Sequence, residues 1–450
     1  MGNTSTAAAV PATGRAAAST ALLTDQYELT MLDAALRSGA AHRRSLFEVF
    51  ARRLPDGRRY GVVAGTGRFL EELTRFRFDE AEIDWLRSER IVSEKTLHWL
   101  ADYRFSGSVS GYAEGEVFFP GSPILLVEGS FAECVILETL ALSVLNHDSA
   151  VAAAASRMTA AAADRPCIEM GSRRTHEESA VAAARAAVIA GFSSTSNMEA
   201  GRRYGLKTGG TAAHSFTLLH DSEEEAFRAQ IETFGSGTTL LVDTYDVPRA
   251  VDLAIEVAGT DLAGVRLDSG DLLVQARDVR AQLDGLGATN TRITVTSDLD
   301  EFAIAGLAAG PVDAYGVGTS LVTGSGAPTA GLVYKLVARH DDNGSWRSVA
   351  KASMNKASVG GRKYPVRVLD GDGVAVEEII GIGSLPALDA SYRELLVPLV
   401  TDGVIDDSAV GAQGVTAARE RHAASRAELP ATALKLQRGE PALVSTFQES

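Results

Sequence analysis

A parallel (β/α) barrel joined to an α+β domain is the fold class that this chain predicts, and three observations carry it. Between Cys167 and Ser320, short apolar strands alternate with amphipathic helices in about seven units, the pattern of a parallel sheet covered by helices. No reversal signal interrupts the units, which favours closure into a barrel over an open sheet. Polar residues gather just after the strands, at His214, Asp243, Asp268-Ser269-Gly270-Asp271, Ser297-Asp298 and Gly318-Thr319-Ser320. In barrels that edge carries the active site.

The elements follow in order. Residues 1–20, rich in Ala, Thr and Ser, read as a disordered tail; they lack the basic start and leucine-rich centre of a signal peptide. Met1-Gly2-Asn3-Thr4-Ser5-Thr6 formally fits a myristoylation pattern. Residues 21–128 read as an N-terminal α+β domain. Thr24 or Asp25 caps a helix with Leu29, Leu32, Ala35 and Leu36 at helical spacing. A strand at Ser45–Phe50, a turn at Pro55-Asp56-Gly57, a helix through Leu73, helices from Asp79 to Leu100 and a β-rich stretch at 107–129 follow.

Residues 129–331 read as the barrel. Two Ala- and Leu-rich helices, Phe131–Leu145 and Ser149–Ala163, lead into the strands Cys167–Met170, Phe192–Thr195, Lys207–Ala213, Thr239–Asp243, Ala263–Asp268, Ile293–Ser297 and Ala314–Gly318. Residues 332–450 return to β structure, with a strand at Val333–Val337, a turn at Asp341–Gly344, a basic Gly-rich loop from Lys351 to Lys363 and a helix from Ala409 to Leu429. This segment is expected to pack back on the N-terminal domain.

Bulk composition narrows the function. The formal net charge of −15 argues against a general nucleic-acid binder. Local arginine pairs at Arg52/Arg53, Arg58/Arg59, Arg173/Arg174 and Arg202/Arg203 still leave room for anionic small ligands. Two cysteines, Cys134 and Cys167, are too few for a disulfide framework and suit a reducing, cytoplasmic setting. No charge-free apolar run of about 18 residues appears, so no membrane span is expected.

The strand ends carry the chemistry. Lys207-Thr208-Gly209-Gly210-Thr211-Ala212-Ala213-His214-Ser215 leads glycines and small residues into a histidine, which can act as base or nucleophile. The same stretch alone also fits a histidine that caps a neighbouring element. Gly316-Val317-Gly318-Thr319-Ser320 exposes backbone N–H groups suited to a phosphate, or forms an ordinary strand-to-helix turn. Asp268-Ser269-Gly270-Asp271 suits a ribose diol, or a Mg²⁺ ion that shares phosphate oxygens. Arg266 offers a guanidinium for a carboxylate or phosphate, and Gly171-Ser172-Arg173-Arg174 adds cations for a polyphosphate. Together these describe a site for a phosphorylated sugar.

With Thr24-Asp25-Gln26-Tyr27-Glu28-Leu29-Thr30, Thr195-Ser196-Asn197, Gly210-Thr211-Ala212-Ala213-His214-Ser215 and Val265-Arg266-Leu267-Asp268-Ser269-Gly270-Asp271, these motifs resemble nicotinate phosphoribosyltransferase, in order from Leu22 to Lys335. The resemblance implies a type II phosphoribosyltransferase fold with an irregular barrel. It implies the joining of nicotinate to 5-phosphoribosyl 1-diphosphate in NAD salvage, driven by ATP. His214 would be the phosphohistidine. Tyr27, Thr211 and Arg266 would bind nicotinate. Arg173, Arg174, Asp268, Ser297, Gly318 and Thr319 would bind the phosphoribosyl diphosphate, supported by Ser215, Asp243 and Gly270. Mg²⁺ would sit on Asp268 and Asp298, and a homodimer would let the Tyr27 segment complete the partner's site.

The chain departs from the family pattern at Met198-Glu199 and in the loop Lys356–Lys363, which lacks an expected proline. Nicotinamide phosphoribosyltransferase is the nearest alternative, and a non-catalytic nucleotide sensor on the same fold is another. Quinolinate phosphoribosyltransferase shares the fold but uses no phosphohistidine.

Overall fold

A computed structural model describes residues 18–351 and 358–449. The expected tail up to Ala17, with its myristoylation pattern, and part of the Lys351–Lys363 loop lie outside the described residues. Six parallel strands form the barrel sheet in the order Ser194–Thr195, Cys167–Glu169, Ala314–Val317, Arg292–Val295, Gly264–Leu267, Thr239–Leu241. That order is cyclic in sequence, so the sheet curls round as an irregular α/β barrel with a single seam. The seam lies between Ser194–Thr195 and Thr239–Leu241, which are not paired with each other.

The expected strand at Lys207–Ala213 would have closed that seam. Instead it makes one isolated parallel bridge, Thr208 to Thr195, and runs on as irregular chain. A Cβ on Gly209 or Gly210 would meet nothing within 4 Å, so the stretch has no side-chain packing to hold it in a ladder. His214 accordingly does not follow a strand; it begins a short helix, His214–Leu219, ahead of the expected acidic helix at Glu223–Phe234.

Leu240, Val242, Val265, Leu267, Ile293, Val295, Tyr315 and Val317 are all buried in the barrel interior and its helix-facing layer. Burying each such side chain contributes about 1.5–3 kcal/mol. A second core lies in the additional domain, whose seven-stranded sheet runs Trp346–Ser348, Leu332–His340, Arg44–Ala51, Leu125–Ser130, Ser108–Tyr112, Leu396–Thr401, Val404–Ile405. Strands from before and after the barrel therefore share one sheet, with Val49 opposite Tyr334 in antiparallel register. A four-stranded sheet built from Tyr392–Glu394, Lys363–Leu369, Ala375–Ile382 and Ser445–Glu449 packs beside it.

One helix, Glu138–Ala162, joins the two cores: Leu140, Val144 and Leu145 pack in the second, Ala152, Ala155 and Met158 in the barrel. The expected break near residues 146–148 is absent, and the break falls earlier, after Phe131–Val135. Polar Asn146, His147 and Asp148 stay inside the helix because each has a partner. Asn146 Oδ1 accepts the Leu332 N–H at 2.8 Å, and Arg68 and His147 both contact Asp148 at 2.8 Å. Residues 131–162 are apolar and long enough to cross a bilayer, yet 67% of their most apolar window is buried in the protein, as befits a core helix.

Candidate active site

The barrel strands deliver their C-terminal residues to one cleft of about 240 Å³. Arg173, Arg174, Asp268, Ser297, Asp298, Gly318 and Thr319 line it, as their positions after the strands predict, and so does Arg266 from within the strand Gly264–Leu267. Gly316, the first glycine of the Gly316–Ser320 motif, completes the lining with Met170 and Thr296, which were not singled out by sequence. A Cβ on Gly316 would overlap Thr296 and approach Met170 Sδ at 2.7 Å, so glycine keeps this floor open.

Helix capping, the ordinary use of a carboxylate after a strand, is carried by other residues. Asp246, Asp271 and Asp300 cap the helices Val247–Ala258, Leu272–Gly285 and Glu301–Leu307. Asp268 and Asp298, nearer the strands, are thereby released to the cleft, and Asp243 sits behind Asp268. Ser297 turns the chain into it at φ 132°, a strained conformation for a residue with a Cβ, of the kind that collects at functional sites. Gly270, at φ 81°, makes the turn between Ser269 and the Asp271 cap.

Two contacts tie the Thr211–His214 run to this cleft. Arg266 donates through Nη1 to Thr211 Oγ1, and His214 Nε2 lies 3.9 Å from both Asp268 Oδ2 and Asp243 Oδ1. His214 Nδ1 sits 3.1 Å from Thr244 Oγ1, a partner that the sequence did not reveal. The Asp243 carboxylate is buried: Oδ2 accepts the Asp268 N–H at 2.8 Å and the Ser269 hydroxyl at 2.9 Å, while Oδ1 has no hydrogen-bond partner among the described residues. Asp268 Oδ1 accepts from the Thr296 hydroxyl. Ser215 is exposed on the helix that His214 begins.

The cations here are uncommitted. Arg173 and Arg174 are exposed, and neither pairs with a carboxylate among the described residues. Burial pulls the Arg266 guanidinium below its usual range, Asp268 and Asp243 push it back up, and Arg173 pulls it down further. The other arginine pairs are used structurally or lie elsewhere. Arg58 binds Glu301 at 3.0 Å and Gly324 O at 2.6 Å, Arg202 and Arg203 bind Glu199, and Arg52 and Arg53 line a separate groove with Arg438. Tyr27, half-exposed on the helix Gln26–Ser38, is not among the residues lining the cleft of its own chain. Burial and the nearby Glu138 and Glu28 raise its phenol well above the usual range.

No group of three or more His, Cys, Asp or Glu side chains suited to a metal occurs among the described residues. The two acids facing the cleft, Asp268 and Asp298, still fit Mg²⁺ as it binds in phosphate sites, where one or two carboxylates share it with substrate oxygens. Cys134 and Cys167 are buried free thiols, and burial pushes Cys167 up to about 12.

A curled α/β barrel with an arginine pair, a glycine-opened floor and facing carboxylates at its strand ends defines a sugar-phosphate-transferring enzyme. The comparisons make this specific. The model of the nicotinate phosphoribosyltransferase (NAPRTase) N-terminal domain matches residues 22–146. The nicotinate phosphoribosyltransferase pncB1 of Mycobacterium tuberculosis is 56% identical over 94% of this chain and 94% of its own length. The Bacillus subtilis enzyme of the same name is 37% identical over 78% of this chain and 74% of its own. The human nicotinic acid phosphoribosyltransferase structure aligns with a TM-score of 0.79 at 25% identity, covering 94% of this chain and 97% of that one. The chain belongs to the nicotinate phosphoribosyltransferase family.

Proposed function

We propose that this protein joins nicotinate to 5-phosphoribosyl 1-diphosphate, giving nicotinate mononucleotide and pyrophosphate, and couples the reaction to ATP hydrolysis through a phosphate carried on His214. The observation that carries the coupling is the position of the imidazole. It stands at the cleft rim, 3.9 Å from Asp268, on a segment that Arg266 ties down through Thr211.

In the transfer step the pyridine nitrogen forms a bond to the anomeric carbon as the bond to the diphosphate oxygen breaks, with both electrons leaving on pyrophosphate. Positioning and neutralisation of the leaving group's charge dominate such a step. Arg173 and Arg174 supply charge to the diphosphate, and the N–H groups from Gly318 to Thr319 receive the 5-phosphate. Arg266, with no carboxylate partner among the described residues, binds the nicotinate carboxylate through charge-assisted hydrogen bonds. Asp268 and Asp298 would hold Mg²⁺, which adds positive charge to the diphosphate when bound.

In the coupling step an imidazole nitrogen of His214 attacks the γ-phosphorus of ATP and ADP leaves. Hydrolysis of the phosphohistidine after transfer resets the enzyme. Asp243 steadies the imidazolium character that develops. We further propose a cytoplasmic homodimer in NAD salvage, in which Tyr27 completes the nicotinate pocket of the second copy. Nicotinamide, lacking the charge that Arg266 addresses, is the poorer substrate.

The test is direct. Purified protein with ATP, Mg²⁺ and 5-phosphoribosyl 1-diphosphate should form nicotinate mononucleotide and pyrophosphate from nicotinate, and far less product from nicotinamide. Preferential turnover of the amide would assign the chain to the amide reaction; no product from either base would leave a sensor.

A further inference from the structure

Beneath the cleft floor lies a buried acid that the reaction above does not use. Glu169 ends the strand Cys167–Glu169, is 0% exposed, and has no cationic partner among the described residues. Its Oε1 accepts the Gly171 N–H and its Oε2 accepts the Thr195 hydroxyl. An acid left buried without a cation persists only when its hydrogen bonds hold it.

Those two bonds reach the two halves of the site. Gly171 opens the loop that carries Arg173 and Arg174, and its carbonyl accepts the Arg174 N–H at 2.8 Å. Thr195 starts the other half. Its N–H donates to Lys207 O and its carbonyl accepts the Gly209 N–H, each at 3.0 Å, which launches the run to Thr211 and His214. A second link closes the ring: the Asn197 N–H donates to Thr195 Oγ1 at 2.9 Å, and Asn197 Nδ2 donates to Ser172 Oγ at 3.1 Å. The open seam of the barrel is where such a link is needed, because no sheet ladder fixes the Lys207–His214 run.

We propose that Glu169 is a positioning residue that, through Gly171 and Thr195, holds the arginine loop and the histidine segment at one fixed spacing, so that diphosphate and phosphohistidine act on the same bound substrate. This rests on the roles given above to Arg173, Arg174 and His214. A carboxylate is required because both neighbours donate. A glutamine must turn its NH₂ toward one of them, which leaves either the Gly171 N–H or the Thr195 hydroxyl proton without an acceptor.

The test compares Glu169→Gln, Thr195→Val and Thr195→Ser with the wild type. Readouts are the KM for 5-phosphoribosyl 1-diphosphate, ATP hydrolysed per nicotinate mononucleotide formed, and Tm. Glu169→Gln and Thr195→Val should each raise that KM roughly tenfold and raise the ATP consumed per product, with Tm within a few degrees of wild type. Thr195→Ser, which keeps the hydroxyl, should rescue both. Unchanged KM and stoichiometry in both variants overturns the proposal. So does a fall in Tm and kcat together at constant KM, which marks a purely structural acid. If Glu169→Gln does not fold, the Thr195 pair decides alone. Wild-type protein that makes product without consuming ATP would sink the coupled reading itself, a distinct result.

Discussion

The Oδ1 oxygen of Asp243 is buried without a hydrogen-bond partner among the described residues and faces His214 Nε2 across 3.9 Å. A small movement of the imidazole would turn this gap into a charge-assisted hydrogen bond, which a cationic ring, or one phosphorylated on Nδ1 and still protonated at Nε2, would strengthen. Asp243→Asn removes that charge, while the amide oxygen, placed where Oδ2 now stands, can still accept the Asp268 N–H. Phosphate incorporation from ATP should slow by about a hundredfold, the equivalent of about 2.7 kcal/mol. Transfer without ATP should change less than about threefold. Equal losses in both reactions would place Asp243 in the transfer step instead.

In the proposed reaction Arg266 is the residue that would separate acid from amide. Arg266→Gln should raise the KM for nicotinate by about 10- to 100-fold, matching the loss of a charge-assisted pair worth about 1.5–3 kcal/mol. The nicotinamide reaction should barely move, so discrimination collapses. Steady-state kinetics with both bases checks this; a variant that keeps its preference for the acid would remove Arg266 from the carboxylate.

Arg173 and Arg174 face the cleft, and among the described residues no carboxylate pairs with them. Arg173→Ala and Arg174→Ala should each raise the KM for 5-phosphoribosyl 1-diphosphate by about tenfold or more and leave the KM for nicotinate near wild type. Raising salt should weaken diphosphate binding in the wild type more than in either variant. Identical salt dependence in all three proteins counts against the assignment.

Much of this site was legible because barrel chemistry collects just after strands, where a short apolar run followed by a polar residue is easy to see. Asp268, Ser297, Asp298 and Thr319 were found that way. Thr244 and Glu169 were not, since their meaning depends on partners 30 and 26 residues distant. Long-range pairing also explains the misplaced helix break. Asn146 and Asp148 look like a helix end until Leu332 and Arg68, 186 and 80 residues away, are seen to satisfy them. The missing strand at Lys207–Ala213 has the opposite cause: its residues carry a strand-like position in the series but too little side chain to pack.

Acid stability has a marked contributor away from the site. His422 is buried, its Nδ1 lies 3.3 Å from Gly115 O, and its Nε2 has no partner among the described residues. Burial, aided by Arg426, lowers its pKa to about 4. Between about pH 6.5 and 4 the unfolded chain therefore binds a proton that the folded chain refuses, and this contribution to stability falls as pH falls, by about 3 kcal/mol in total. In His422→Gln the acid-side decline of Tm should be shallower over that window. An unaltered slope would show that the imidazole titrates alike in both states.

We propose that His214 carries phosphate from ATP. Incubation with γ-labelled ATP, followed by acid and alkaline quenching, measures it most directly. Wild-type protein should retain label that is stable in alkali and lost in acid, and His214→Ala should retain none while keeping slow, ATP-independent transfer with a higher KM for 5-phosphoribosyl 1-diphosphate. Equal acid-labile label in His214→Ala, or its absence from active wild-type protein that still couples ATP to transfer, would contradict it.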